Sequence, residues 1–425
     1  MKRLTGKNHK AWEEIFAKHD ILRHIENFGS FRISAQQIRE YREPRLMAKF
    51  DHKNSLPEIF LENELAILPV TRGEYVIAHF DAYHKLENFG GQIIKAKPPE
   101  NIQSLNYDDI QNEATALNCA FAAGITADFL EDDSMIATVY GRMGTGLFDF
   151  NIADVKTDEQ RLVKVENAQI EIDASYEGRS SMAIFEAKLD LADDFITRQL
   201  YYPFRVWREK ITKPVRLVFF LYSNKIFRLY EYAFEDVDNY SSIRLVKQKN
   251  YSVEDTSITA KDIQDILSRV AIIPEPKVPF PQADSFERVI NLCEHLSEHS
   301  MSSYDVTEQY AFTSRQASYY TNAARYLGLL ESQGSLHTLS KTGRQILKMN
   351  YRNRQLSFCR LILSHGTFNE VLKLCFDRGY MPDNEEIKGV MERSNLYNVS
   401  SGETFVRRAS TVRKWLEWII GLITE

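Results

Sequence analysis

Glu171, Asp173, Glu186 and Lys188 stand on two short segments, QIEIDAS and SMAIFEAKL, that are otherwise dominated by Ile, Ala, Phe, Met and Leu. Charges in such surroundings are costly unless they pair with one another or hold a metal. Side chains alternate faces along a strand, so Glu171 and Asp173 are expected to share one face, and Glu186 and Lys188 another. A hairpin across the loop Ser175–Ser181 brings Asp173, Glu186 and Lys188 together. Two carboxylates at that point make a hard oxygen site suited to Mg2+. A lysine beside them can orient or help deprotonate a water, or stabilise charge developing on phosphoryl oxygens. Those are the ingredients for hydrolysing a phosphodiester.

The elements that must position these groups follow from the surrounding pattern. A helix is expected in YDDIQNEATALNCAFAAGITADFL, capped by Asp108 or Asp109, and it carries Glu113. Strands are expected in MIATVYG, LFDFNIADV, AQIEIDAS and SMAIFEAKL, and earlier in LAILPV, EYVIAHF and GQIIKA. Asp193 or Asp194 can cap a helix through DFITRQLYYPFRVWREK, which Pro203 should kink. VRLVFFLY and KIFRLYEYAF then read as a hairpin about Ser223-Asn224. Four prolines between Pro274 and Pro281 favour an extended spacer.

After the spacer the pattern turns helical. SFERVINLCEHLSEH, SSYDVTEQYA and TSRQASYYTNAARYLGLLE are amphipathic, and SQGSLHTLS reads as a two-stranded wing with Gly334 at its tip. Three helices and a wing are the plan of a winged helix-turn-helix. The expected domains are residues 1–106, a candidate DNA-recognition element; 107–272, the catalytic core; 273–284, the linker; 285–350, the winged helix; and 351–425, helical, a candidate second and weaker copy of that plan.

Asp173 and Glu186-Ala187-Lys188, in a helix–strands–helix–strand order, resemble the PD-(D/E)XK nuclease superfamily and, within it, the type II restriction endonucleases. Ile172 stands where the superfamily's name has Pro. The resemblance covers about Tyr107 to Phe234. It implies an α/β (α+β) core with a mixed sheet flanked by helices, followed here by the C-terminal all-α winged-helix region. It also implies Mg2+ held by Asp173 and Glu186, with Lys188 assisting the attacking water. Glu113 or Glu171 would support a further metal, and Gln199, Tyr201 or Tyr202 would supply the polar group often found on the helix after the lysine strand.

Candidates for DNA contact are Thr313, Ser314, Arg315, Gln316, Tyr319 and Asn322 at the start of the proposed recognition helix. That end of such a helix meets base edges and phosphates, and Arg and Gln are the types that read G and A in bidentate fashion. Arg407 and Arg408, with Arg413 and Lys414, could face phosphates from the last helix, although a solvated face is an equal reading. Arg142 in GRMGTGLFDF could approach DNA from a tight hairpin. The net charge of −6 is unevenly spread: 17 basic and 15 acidic residues lie from Ser285 onward, against 36 and 44 before it. An acidic whole can still carry a basic face.

No run is long enough to span a membrane, no signal peptide is expected, and the four cysteines lack CxxC spacing, which suits a reducing cytoplasm. The resulting expectation is a cytoplasmic, Mg2+-dependent, site-specific endonuclease acting on double-stranded DNA, a homodimer if its site is palindromic. Two alternatives stay open: another DNA-processing nuclease of the same superfamily, and a non-catalytic winged-helix regulator.

Overall fold

The computed structural model describes residues 7–87, 90–157, 159–310, 314–394, 396–397, 399 and 402–424. The chain is mixed α/β and divides into two compact units. One comprises residues 1–222 and 226–251; the other comprises 223–225 and 252–425.

A seven-stranded mixed sheet organises the first unit. Its spatial order is Ile93–Lys95, Ile243–Ser252, Ile226–Phe234, Val215–Ser223, Met182–Lys188, Ala174–Glu177 and Ile136–Ala137. The two centre strands, Met182–Lys188 and Val215–Ser223, are parallel, with Met182 opposite Val215 and Lys188 opposite Leu221. A parallel pair needs a crossover. The helix Arg198–Lys210 supplies it and packs against Met182–Lys188. Every residue from Met182 to Ala187 is buried, as expected of a strand covered on both faces. Asn224 and Lys225 both have φ near +55° (53 and 59), the left-handed pair that closes a two-residue hairpin with the right twist.

The first unit has a second core. The helices Lys7–His19 and Ile21–Phe28 pack Trp12 and Phe16 with Phe60. They lie beside a three-stranded sheet in which Glu74–Ala78 is flanked by Phe31–Ser34 and Ala66–Pro69. Trp12 Nε1 donates to Met47 O at 2.9 Å, which meets the polar need of a buried indole.

In the second unit the helices Phe286–Glu298, Ser303–Gln309 and Ser314–Tyr326 precede a hairpin of Leu330–Gln333 and Leu336–Leu339. Gly334 sits at its tip with φ 62°, a conformation that glycine adopts without a Cβ penalty. Met301–Ser302 adds a third strand to Leu336–Leu339. These are the anticipated elements in the anticipated order.

Several boundaries differ from expectation. The cut at 106/107 falls inside the sheet unit, because Ile93–Lys95 is an edge strand of the large sheet and Tyr83–Lys85 pairs with Asp194–Ile196. Residues 252–272 fall in the second unit, where the helix Ala260–Arg269 packs on Tyr351–Leu363. The proline-rich stretch is no free spacer. Phe280 and Ala283 are buried in the second unit's core, and Trp415 Nε1 donates to Ala283 O at 2.7 Å. Residues 341–424 form helices only, among the described residues, so a second wing is not built. The helix expected from Asp108 begins at Glu113, with Asn112 as its cap. Asp194–Ile196 is strand, and its helix starts at Arg198. No helix among the described residues is long and apolar enough to cross a membrane.

Candidate active site

A change of partner strand places Asp173. Gln169–Ile172 pairs with Gly141–Gly144, setting Glu171 opposite Arg142. The next strand, Ala174–Glu177, pairs instead with Met182–Lys188 from Ala174 opposite Phe185. Asp173 lies at the switch, next in line to face Glu186. Its Oδ2 accepts the Ala187 N–H at 2.9 Å, tying the first acid to the backbone of the Glu-Ala-Lys element. Glu171 is carried away from this point. Its carboxylate pairs with Arg142 at 3.2 Å, both side chains being about half-exposed, so it does not join the cluster.

Glu186 is 6% exposed. Its Oε1 accepts from Lys188 Nζ and from Gln199 Nε2, both at 2.6 Å. Gln199 lies in the first turn of the crossover helix, which explains how a residue beyond the strand reaches its carboxylate. Glu113 opens the helix Glu113–Ala122, which packs on the Met182–Lys188 strand. The structure therefore gathers Asp173, Glu186, Lys188, Gln199 and Glu113. Tyr201 and Tyr202 are buried elsewhere, donating to Val237 O at 2.7 Å and to Pro69 O at 3.0 Å.

The charges in this cluster govern one another. Burial pushes the Glu186 carboxyl up to about 8; the Lys188 ammonium opposes this, and the Asp173 and Asp51 carboxylates add to it. Burial alone would lower Lys188, but the carboxylates of Glu186, Asp51 and Glu113 outweigh it and hold the ammonium above its ordinary range. Glu113 is raised by burial, with Lys188 opposing and Asp173 and Asp190 reinforcing. Asp51 is the residue that sequence reasoning missed. Burial would raise its carboxyl, yet Lys188, Lys49, Arg198 and His52 together bring it below the usual value. Its only sequence signal was an acid in KFDH.

The donor set suits magnesium. Mg2+ is commonly held through one or two carboxylates plus waters and substrate phosphate oxygens; Asp173 and Glu186 provide the two. Gln199 Oε1 is buried beside Glu186 without a hydrogen-bond partner, an acceptor that a bound water could meet. Among the described residues no group of three or more His, Cys, Asp or Glu forms a metal cage.

The DNA-contact candidates fare unevenly. Thr313 lies outside the described residues, as does the side chain of Ser314. On the helix Ser314–Tyr326, Arg315 is exposed, donates to the Tyr319 hydroxyl and lies over its ring at 5.5 Å. Gln316 is half-buried, and Asn322 accepts from Arg325 at 3.2 Å. Leu327, Leu329 and Leu330 are buried. On the helix Gly402–Gly421, Arg407 is exposed but Arg408 is only 7% exposed, with Nε and Nη1 unpartnered. Arg408 is thus largely covered, where an outward face was expected. Arg413 pairs with Glu417 at 2.8 Å and Lys414 with Asp284 at 2.5 Å.

Three family matches tile the chain, each described only as a domain of unknown function: DUF6996 over residues 9–77, DUF6997 over 78–252 and DUF7226 over 288–424. The second ends at the residue where the second compact unit resumes. No curated protein and no solved structure matches the chain.

Proposed function

We propose that the chain is a Mg2+-dependent, site-specific endonuclease for double-stranded DNA, built on a PD-(D/E)XK-type core and of the restriction type. The observation that carries the reading is the convergence of Asp173, Glu186, Lys188 and Gln199 about one strand. Asp173 and Glu186 would hold the ion. Bound there, magnesium supplies Lewis-acid polarisation of the phosphodiester and a more acidic water. Gln199 fixes the rotamer of Glu186. Lys188, kept as an ammonium among carboxylates, acts as a hydrogen-bond donor that orients the attacking water and meets charge growing on the phosphoryl oxygens. Glu113 tunes that field from the preceding helix. Arg315 and Gln316, at the start of a helix with a wing behind it, support major-groove reading by the second unit. A palindromic site would call for a two-fold dimer.

Digestion of a defined set of plasmids with Mg2+, followed by sequencing of the ends, tests this. Discrete ends at one recurrent sequence, lost in Lys188→Ala, support it. Intact plasmids under all conditions, with the folded protein still binding duplex DNA, would sink the nuclease and leave a winged-helix regulator.

A further inference from the structure

The 38 residues from Ser332 to Asn369 contain no Asp or Glu, although acids make up 59 of the chain's 425 residues and outnumber its Lys and Arg. The same stretch holds six cations: Lys341, Arg344, Lys348, Arg352, Arg354 and Arg360. Arg352 and Arg354 are paired, with Asp262 at 2.6 Å and Glu294 at 3.0 Å. Lys341, Arg344, Lys348 and Arg360 are exposed and form no ion pair among the described residues.

Lys341 and Arg344 lie three apart and Lys348 four further on. The three therefore share one face of the helix Lys341–Leu347, whose C-cap is Lys348 in a helical conformation. The opposite face is fixed. Gly343 and Ile346 are buried, and a Cβ on Gly343 would stand 2.7 Å from Leu329 O, so the helix sits directly on the base of the wing. The Ser340 N–H donates to Leu329 O at 2.8 Å. Ser340 Oγ accepts the Gly343 N–H at 3.0 Å and donates to Gly328 O at 2.7 Å. These bonds tie the start of the helix to the turn that follows the helix Ser314–Tyr326. Local stability does not explain the three cations: like charges three and four apart repel, and Lys341 at the first helical position opposes the macrodipole.

We propose that Lys341, Arg344 and Lys348 form a phosphate-binding ridge for double-helical DNA. A duplex presents one phosphate for about every 1.7 Å of its axis, and at about 1.5 Å per residue the three cations span roughly 10 Å of helix, so several phosphates come within reach. Thr342 and Gln345, the exposed residues between them, are uncharged hydrogen-bond donors that phosphate oxygens accept from. A lipid surface fits less well. Helices that lie in a bilayer interface turn an apolar face to the acyl chains, whereas here Ile346 is buried and Leu347 packs against the core. Phosphate contacts position and base contacts specify, so the ridge orients the duplex while Arg315 and Gln316 keep the reading role given above. The inference shares with the proposed function only its partner, duplex DNA, and does not depend on cleavage.

The test titrates the full-length protein with a short fluorescent duplex of arbitrary sequence at several KCl concentrations, with EDTA present so that no strand is cut. Lys341→Gln, Arg344→Gln and Lys348→Gln should each reduce the slope of log Kd against log salt by about one and weaken binding roughly tenfold near 0.1 M salt. The triple variant should lose about two to three units of slope. Lys348→Arg keeps the charge and should stay within twofold of wild type. Lys261→Gln removes an exposed lysine beside Asp262 on the helix Ala260–Arg269 and should leave the slope unchanged. Thermal midpoints should hold, because the substituted side chains are exposed; if the triple variant melts early, the single variants decide by their slopes. A folded triple variant with the wild-type slope overturns the proposal. So does an equal loss of slope in Lys261→Gln, which would assign the effect to net charge, and so does wild-type protein that binds no duplex at low salt. A triple variant that loses binding to phosphatidylserine vesicles but keeps the wild-type slope on DNA makes the ridge a lipid contact, and overturns it too. Plasmids that stay intact in Mg2+ alongside the expected loss of slope bring down the cleavage reading and leave this surface standing.

Discussion

Lys188 and Arg315 are both cations proposed to meet DNA, and the protein treats them in opposite ways. Lys188 is 12% exposed and held 2.6 Å from Glu186, in a strand covered on both faces. Arg315 is exposed and folded back on Tyr319, four residues along its own helix. The first arrangement is preorganised: its ordering was completed when the sheet folded, so nothing remains to be arranged when substrate arrives. The second is adaptable, and Arg315 must leave a local partner before it reaches a base. Truncation in the sheet cluster should therefore stop chemistry and spare binding. Truncation on the helix should grade binding and spare chemistry.

The largest expected effect breaks the preorganised side. Asp173→Asn, Glu186→Gln and Lys188→Met should each cut plasmid cleavage by on the order of 10²–10³-fold or more, while binding measured in Ca2+ stays within twofold. Ca2+ takes the same oxygens with a looser geometry, so it serves as the binding condition. Retention of a tenth of wild-type cleavage by any of the three would detach that residue from the chemistry.

The same cluster sets a pH dependence. Glu186 is pushed up to about 8, above its unfolded value, so the fold holds this proton more tightly than the unfolded chain does. The stability it contributes is fully present below the unfolded value and is lost as pH rises through about 8. In cation-free buffer the urea-unfolding free energy should fall by about 2–4 kcal/mol between pH 5 and 9, and Glu186→Gln should flatten the slope. A bound divalent cation favours the ionised carboxylate, so stabilisation by Mg2+ should grow over the same window. A slope unchanged in Glu186→Gln would assign the titration to another group.

What could be read in advance depended on how far apart the contributing residues lie in sequence. Asp173 and Glu-Ala-Lys fall within one strand pair, so spacing and alternation sufficed to bring them together. The wing and its three helices were legible because Gly334 and the apolar periods are local. Asp51 was not legible, since its place depends on a backbone hydrogen bond from Ile196, in a three-residue strand too short to show alternation. Asp193 and Asp194, good capping types, make those same three residues read as helix. The four prolines read as an extended spacer, since proline says nothing about whether Phe280 finds a core. Arg408 was placed outward because a helical period gives a face but not what covers it.

On the adaptable side the effects are smaller. Once a cleavage site is known, Arg315→Ala and Gln316→Ala should each cost about 1–3 kcal/mol at the cognate duplex and less on scrambled DNA. Arg407→Ala should weaken both alike and reduce the salt slope by about one. Arg408→Met is the contrast: replacing a buried guanidinium with two unpartnered nitrogens should leave that slope unchanged. It should leave stability unchanged or raise it by about 1–2 kcal/mol. A flatter salt slope in Arg408→Met would return this residue to the DNA-contact surface.

The smallest expected effect is the sharpest test of the strand switch at Asp173. Glu171 and Asp173 have the same charge, stand two apart, and would share a face on one uninterrupted strand. In the structure Glu171 belongs to the pairing with Gly141–Gly144 and meets Arg142 in solvent, whereas Asp173 binds the Ala187 amide across from Glu186. A half-exposed ion pair contributes between about 0 and 1 kcal/mol. Glu171→Ala should therefore leave cleavage within twofold of wild type and shift the unfolding free energy by less than about 1 kcal/mol, and Arg142→Ala should match it in stability. If Glu171→Ala instead lost cleavage as Asp173→Asn is expected to, the two acids would face one site after all. The uninterrupted strand inferred from alternation would then be the better description of Gln169–Ser175.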